Sequence, residues 1–165
     1  MISLQDNAWI DEAVEKIVKK MDLVSERSRN KIPYTAWWCN GFWAGMLWQM
    51  YHAAGNEKYA EIARISEEKL DRCFSDYYGL HHDVGFMFLP SAVADYRLTG
   101  NPDSRKRGLH AANLLAGRFN PVGKFIRAWN DIPGSQDDTR GWAIIDCLFN
   151  IPLLYWASEE TKDPR

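Results

Sequence analysis

Two short strings carry the residues with the most chemistry in them: His81-His82-Asp83-Val84-Gly85-Phe86 and Ile144-Ile145-Asp146-Cys147-Leu148-Phe149-Asn150. Each sets one carboxylate among apolar and aromatic neighbours, where an isolated charge is costly to bury and must be hydrogen-bonded, paired or tuned. Two such carboxylates suit general acid/base chemistry. Asp146, flanked by Ile144, Ile145, Leu148 and Phe149, is expected to be desolvated, which raises a carboxyl pKa and keeps a transferable proton near neutral pH. Asn150 lies four residues on, on the same helical face, where it can orient that acid. On the residues alone, plainer alternatives stay open. Asp146 can be a core acid tied to backbone or to Arg140, and Asp83 can be a helix N-cap. The histidines ahead of Asp83 have no cysteine or third histidine close by, so the string does not read as a zinc site, and no metal or cofactor is implied.

Helices must position these groups, because the periodicity is helical nearly throughout. Trp9, Ile10, Ala13, Val14, Ile17, Val18 and Met21 recur at i, i+3, i+4 and i+7, which predicts an amphipathic first helix. A polar break over Ser25 to Pro33 ends it. A second, apolar on almost every side and so expected buried, runs from about 41 to 54. A third opens at Asn56-Glu57 and carries Tyr59, Ile62, Ala63, Ile65 and Leu70 on one face to about 74. The fourth covers about 84 to 98. A fifth follows Asn101-Pro102-Asp103, where proline sits well in the first turn. The sixth is expected from about 139 to 158, kinked at Pro152.

Amphipathic and buried helices alternate, and the buried ones end alike: Tyr51-His52-Ala53-Ala54-Gly55-Asn56 and Tyr96-Arg97-Leu98-Thr99-Gly100-Asn101, with a looser third copy from Tyr155 to Arg165. This is an internal helical-hairpin repeat. Two layers of alternating inner and outer helices build an α/α toroid, and three hairpins make an arc of one. An arc leaves an apolar edge uncovered, so a fragment, self-association or completion by a complementary C-terminal half is expected.

The 165 residues suffice for a single domain with a core. Eight Trp and seven Tyr exceed what a plain bundle requires, and Trp suits sugar clefts as well as cores. A net charge of −2 and the lack of a basic stripe give no footprint for nucleic acid. Arg105-Lys106-Arg107 reads as a solvated helix face. Cys39, Cys73 and Cys147 form neither a metal spacing nor a disulfide framework, which points to a reducing compartment. Met1 to Lys20 alternates charged with apolar residues, unlike a signal peptide, and no apolar run approaches the ~20 residues of a membrane span. The expected location is the cytoplasm, with no membrane partner.

Together with Trp38-Cys39-Asn40-Gly41-Phe42-Trp43 and the run from Ile145 through Pro152 to Leu154, the His81–Phe86 string resembles the unsaturated glucuronyl hydrolases, glycoside hydrolase family 88. The similarity runs from the first helix to Arg165. It implies an all-α (α/α)6 barrel more than twice this length, with residues 1–165 as one domain forming its N-terminal half. The implied substrate is a lyase-generated oligosaccharide whose terminal uronate carries a C4=C5 double bond. The implied reaction is hydration of that vinyl ether. By the same resemblance Asp146 is the acid/base and Asp83 the second catalytic carboxylate. His82 contacts substrate, with Asn150 on the substrate side, and His81 is structural. Trp38 and Trp129 stack on sugar rings, Trp129 from a loop between the fifth and sixth helices. Trp43 and Trp48 read as packing, and Trp142 is open.

Two departures stand out. The stretch from Ile32 to Trp38 is shorter than the family shows, and the family's later contacts to the substrate carboxylate fall beyond Arg165, so the chain alone is expected to catalyse poorly. A non-catalytic glycan- or protein-binding module, and a toroid glycosidase acting on saturated sugars, are the competing readings.

Overall fold

The computed structural model describes residues 4–31, 35–76, 79–131 and 134–164, the first four of these by backbone alone. Helices dominate: α1 (Leu4–Ser28), α2 (Asn40–Ala54), α3 (Glu57–Asp76), α4 (Val84–Phe88), a π-helical turn (Leu89–Val93), α5 (Ala94–Thr99), α6 (Pro102–Ala116), α7 (Cys147–Asn150) and α8 (Pro152–Thr161). A small antiparallel hairpin, β1 (Phe119–Asn120) against β2 (Phe125–Ile126), interrupts the all-helical pattern. The shortened stretch at Ile32–Tyr34 lies outside the described residues.

The repeat has a physical cause. Gly55 and Gly100 adopt left-handed φ of 63° and 76°, and each donates its N–H to the carbonyl of a tyrosine four residues back at 2.8 Å. Glycine meets that conformation without Cβ strain, so the same string stops α2 and α5. The third copy departs: α8 runs on to Thr161, and Lys162 takes the left-handed position with φ 59°.

Two apolar clusters hold the layers together. Leu47, Trp48 and Met50 of α2 meet Tyr59, Ile62 and Ala63 of α3, and Val18 and Met21 of α1 lean on them. Val84, Met87, Phe88 and Val93 meet Ala111 and Leu115 of α6 and Leu153 and Trp156 of α8. The predicted face of α1 is only half used. Its later turns are anchored where Tyr59 Oη donates to Asp22 (2.8 Å), whereas Trp9 and Ile17 are 62% and 51% exposed. α2 is less buried than its composition predicts, because Phe42 and Met46 turn outward and with Leu89, Pro90 and Leu98 line an apolar groove of about 500 Å³. Some inner-helix surface therefore lies open, as an arc of hairpins requires.

The fourth helix is not continuous. Pro90 has no N–H to give the Phe86 carbonyl, so the ladder widens into the π turn. Ser91 Oγ takes up the Met87 carbonyl at 2.6 Å. The sixth helix differs more: 139–146 is not helical, α7 starts only at Cys147, and Pro152 opens α8. Backbone contacts divert the segment, since Ala128 N donates to Trp142 O (2.8 Å) and Thr139 Oγ1 donates to Asn130 O (3.1 Å).

The basic run of α6 is bound up in ion pairs rather than simply solvated. Arg107 grips Asp71 with Nε and Nη2 at 2.7 and 2.8 Å, and Arg105 Nε meets Glu160 at 2.7 Å, tying α6 to α3 and α8. A buried polar network lies between α2, α3, α5 and α6. Trp48 Nε1 donates to Glu67 Oε1 at 2.8 Å, and Ser104 Oγ sits 2.8 Å from Glu67 Oε2 and 2.7 Å from Asp95 Oδ2. Thr99 Oγ1 and Asn101 Nδ2 donate to Asp95 at 2.7 and 2.6 Å.

Candidate active site

Two close helix contacts assemble the site. A Cβ on Gly85 would lie 2.5 Å from Asn150 Cα, and one on Gly41 would overlap the Phe86 and Met87 carbonyls. Glycine at both positions lets α4 press its backbone against α7 on one side and α2 on the other. Asp83 and Asp146 each occupy the residue just before a helix, α4 and α7, yet neither side chain caps it. The N-cap reading of Asp83 therefore fails. The Arg140 reading of Asp146 fails too, because Arg140 pairs with Asp138 at 2.7 Å.

Between the two acids sits His82, fully buried, with Nε2 at 3.3 Å from Asp83 Oδ1 and 3.6 Å from Asp146 Oδ1. His81 Nδ1 lies 3.4 Å from Asp83 Oδ2. Burial holds both imidazoles below their ordinary pKa, so both are neutral at pH 7. Burial also pushes the Asp83 carboxyl up, opposed by His82 and reinforced by Asp146.

Asn150 is a positioning residue. It is fully buried, accepts from Phe86 N at 2.8 Å, and donates to Asp83 Oδ1 (3.3 Å) and to the Asp146 carbonyl (3.2 Å). Its side chain thus orients Asp83, not the Asp146 carboxylate. His82 and Asn150, expected on the substrate side, are fully buried, and His81, expected to be structural, lines the cleft. The apolar neighbours of Asp146 do not desolvate it as expected. Ile145, Leu148 and Phe149 are 83%, 64% and 69% exposed, and the Asp146 side chain keeps 37% of its surface.

Above the acids opens a cleft of about 690 Å³. Trp38 and Trp129 line it, and so do Trp37, Phe86, Asn130 and Asp131, which the sequence did not single out. Trp38 packs against Phe42 and Phe86 with ring centroids 5.7 Å apart in each case, and Trp129 leans on Trp142 at 5.7 Å. Trp43 and Trp48 stay out of the cleft lining, Trp48 being buried.

Arg118 staples the Trp129 segment in place. Its Nε, Nη1 and Nη2 donate to Arg127 O, Asn130 Oδ1 and Ala128 O at 2.8, 2.8 and 3.2 Å. Burial, then the nearby Arg127, draws its pKa down to about 10. Ala128 O in turn accepts from His82 N at 3.2 Å, so the Trp129 loop and the histidine string share one carbonyl. Among the described residues, His81, His82 and Asp83 form the one cluster with metal-ligand atoms mutually within 4.8 Å. The arrangement sets two carboxylates, Asp83 and Asp146, beside a histidine pair at the floor of an aromatic-lined cleft.

No protein-family model matches the chain. It is 42% identical over 129 residues to an unsaturated chondroitin disaccharide hydrolase of Streptococcus pyogenes serotype M1, covering 78% of this chain and 32% of that protein. The similarity to the Streptococcus pneumoniae protein of the same description is 33% over 169 residues, covering 94% and 42%. The crystal structure of the unsaturated glucuronyl hydrolase from Bacillus sp. GL1, described as responsible for degradation of glycosaminoglycan, superposes with a TM-score of 0.73 at 37% identity. It covers 80% of this chain and 35% of that one. The chain thus spans about a third to two fifths of the length of the relatives it matches.

Proposed function

We propose, from the premise that this chain is a homologue of the unsaturated glucuronyl hydrolases, that it supplies the acid/base wall of a glycosidase releasing unsaturated uronic acid from lyase-generated oligosaccharides. It is read as a single domain forming the N-terminal half of an (α/α)6 barrel, with the Phe42–Met46–Pro90 groove as the edge on which the rest of such a barrel packs. One observation carries the reading: Asp83 and Asp146, far apart in sequence, meet across His82 on the floor of a Trp-lined cleft.

In the proposed reaction Asp146 gives its proton to C4 of the C4=C5 vinyl ether, leaving an oxocarbenium-like centre at C5. Water adds at C5 and returns a proton to Asp146, so the acid is regenerated and one water is consumed. The C5 hemiketal opens to a ketone, and the glycosidic bond then parts without direct displacement at C1. The carboxylate-separation rule for retaining and inverting glycosidases therefore does not govern this pair. Asp83, held by Asn150, orients substrate hydroxyls and sets the electrostatic surroundings of Asp146. Trp38 and Trp129 sandwich the sugar faces.

The test is loss of ultraviolet absorbance of the conjugated C4=C5 bond when the chain meets unsaturated chondroitin disaccharide. Steady decay abolished by Asp146→Asn supports the reading. Decay that survives Asp146→Asn overturns it, as does the absence of both decay and any disaccharide-dependent Trp fluorescence change.

A further inference from the structure

A second cavity, of about 410 Å³, adjoins the cleft, and His81, Asn130 and Asp131 line both spaces as a shared wall. Two guanidiniums line it as well, Arg118 just past α6 and Arg127 just past β2. They stand close enough for Arg127 to act electrostatically on Arg118. Arg118 spends its hydrogen bonds on neutral acceptors, the Arg127 and Ala128 carbonyls and Asn130 Oδ1. Among the described residues it has no ion-pair partner, and Asp83 acts on it only at longer range. Arg127 Nη2 meets Asp131 Oδ1 at 2.6 Å and Thr139 Oγ1 at 3.1 Å. Its Nε is shielded from solvent and has no hydrogen-bond partner among the described residues. Two guanidiniums and one carboxylate, beside a neutral His81, leave one positive charge uncompensated at the cavity wall.

We infer that this cavity is an oxyanion pocket that takes the sulfate ester or carboxylate of a saccharide whose ring occupies the aromatic cleft. The inference rests on the glycosidase reading for the place of that ring. A guanidinium fork matches the oxygens of either group, and each N–H···O contact is charge-assisted. An oxyanion beside Arg118 and Arg127 screens their mutual repulsion and offers the orphaned Nε an acceptor. Asp131 and the carbonyl end of α6 oppose an anion, so a free ion binds weakly. A group tethered to a ring in the adjoining cleft needs no second encounter, and its high local concentration offsets that opposition. Arg127 is the recognition residue, because Arg118 is committed to holding the Trp129 segment.

Tryptophan fluorescence at constant ionic strength tests the pocket with unsaturated chondroitin saccharides: the unsulfated disaccharide, its monosulfated forms, and the unsulfated tetrasaccharide, which adds a second uronate carboxylate. At least one ligand with the additional anion should bind about tenfold tighter than the unsulfated disaccharide. Preference for the sulfated forms identifies a sulfate ester, and preference for the tetrasaccharide a carboxylate. Arg127→Gln erases the difference and leaves the unsulfated disaccharide nearly unchanged. Asp131→Asn enlarges it. Asp138→Asn, the same charge change at a residue paired with Arg140 outside the cavity, does not. Equal binding of all the saccharides overturns the pocket. So does a preference that survives Arg127→Gln, or one that Asp138→Asn raises as much as Asp131→Asn. If the unsulfated disaccharide fails to bind, the glycosidase reading falls on its own. Calorimetry with inorganic sulfate then decides the pocket: saturable binding lost in Arg127→Gln upholds it, and no binding overturns it.

Discussion

A proton count at Ser104 yields the sharpest stability prediction. Its hydroxyl has one hydrogen, yet Oγ lies within hydrogen-bond distance of two carboxylate oxygens, Glu67 Oε2 and Asp95 Oδ2. One of those contacts needs a proton from the acid itself. Asp95 is saturated with donors from Thr99, Asn101 and Arg64, which hold its carboxyl below the ordinary range against the cost of burial. The extra proton therefore resides on Glu67, which donates to Ser104 while Ser104 donates to Asp95. Burial, with Asp95 adding repulsion, pushes Glu67 from 4.5 up to about 7. The folded state thus holds a proton that the unfolded chain releases above pH 4.5. Its contribution to stability is full below that pH, declines as pH rises through about 7, and is then lost. At 1.36 kcal/mol per pKa unit the swing is about 3 kcal/mol. Glu67→Gln keeps the geometry: the amide oxygen accepts from Trp48 Nε1 and the NH₂ donates to Ser104. Urea unfolding of both proteins at pH 5 and pH 8 is the assay. The variant should match the parent within about 1 kcal/mol at pH 5 and exceed it by about 2–3 kcal/mol at pH 8. If Glu67→Gln destabilises equally at both pH values, Glu67 is ionised in the fold and the proton count is wrong.

Gly85→Ala forces α4 away from Asn150 and should cost about 1–3 kcal/mol, read as a lower urea midpoint together with weakened disaccharide binding. Trp129→Ala removes one aromatic wall, and a stacking loss of about 1 kcal/mol should weaken disaccharide binding roughly five- to tenfold in a fluorescence titration, leaving the urea midpoint nearly unchanged. Arg118→Met leaves three acceptors of the Trp129 segment, the Arg127 and Ala128 carbonyls and Asn130 Oδ1, without their donor. Hydrogen exchange at 127–130 should rise by one to two orders of magnitude, with α2 and α3 unaffected, on the basis of about 1–3 kcal/mol for leaving buried acceptors unpaired.

Helix identity, the hairpin repeat and the two carboxylates were legible because each has a local signal. Tyr-x₃-Gly-Asn encodes a left-handed helix stop, and an Asp in an apolar run stands out. What misled was inference by neighbourhood along the chain. Ile145, Leu148 and Phe149 flank Asp146 in sequence but point outward, because α7 is a single turn whose inner face is given to Asn150. The different exposure of His81 and His82 has the same origin: adjacent residues at a helix start point in different directions, and the Ala128 carbonyl that accepts from His82 N is distant in sequence. The non-helical run at 139–146 was hidden because its partners, Ala128 and Asn130, act through backbone groups that leave no compositional trace. Glu67 was invisible for a related reason. One acid on a charged amphipathic helix looks solvated until Trp48 and Ser104 arrive from other helices.

The glycine contacts beside the acids separate what can drift from what cannot. Where α4 meets α7 at Gly85 and α2 at Gly41, backbone lies against backbone with no side chain between. Replacing core residues elsewhere by others of slightly different volume leaves that spacing alone, so mutational wear on the hydrophobic clusters need not detune the acid pair. The Trp129 segment, by contrast, hangs from a short hairpin and a few hydrogen bonds. Substitution or insertion can reshape this rim while the floor beneath it keeps its dimensions, which makes the scaffold variable at the mouth of the cleft and fixed around the acids.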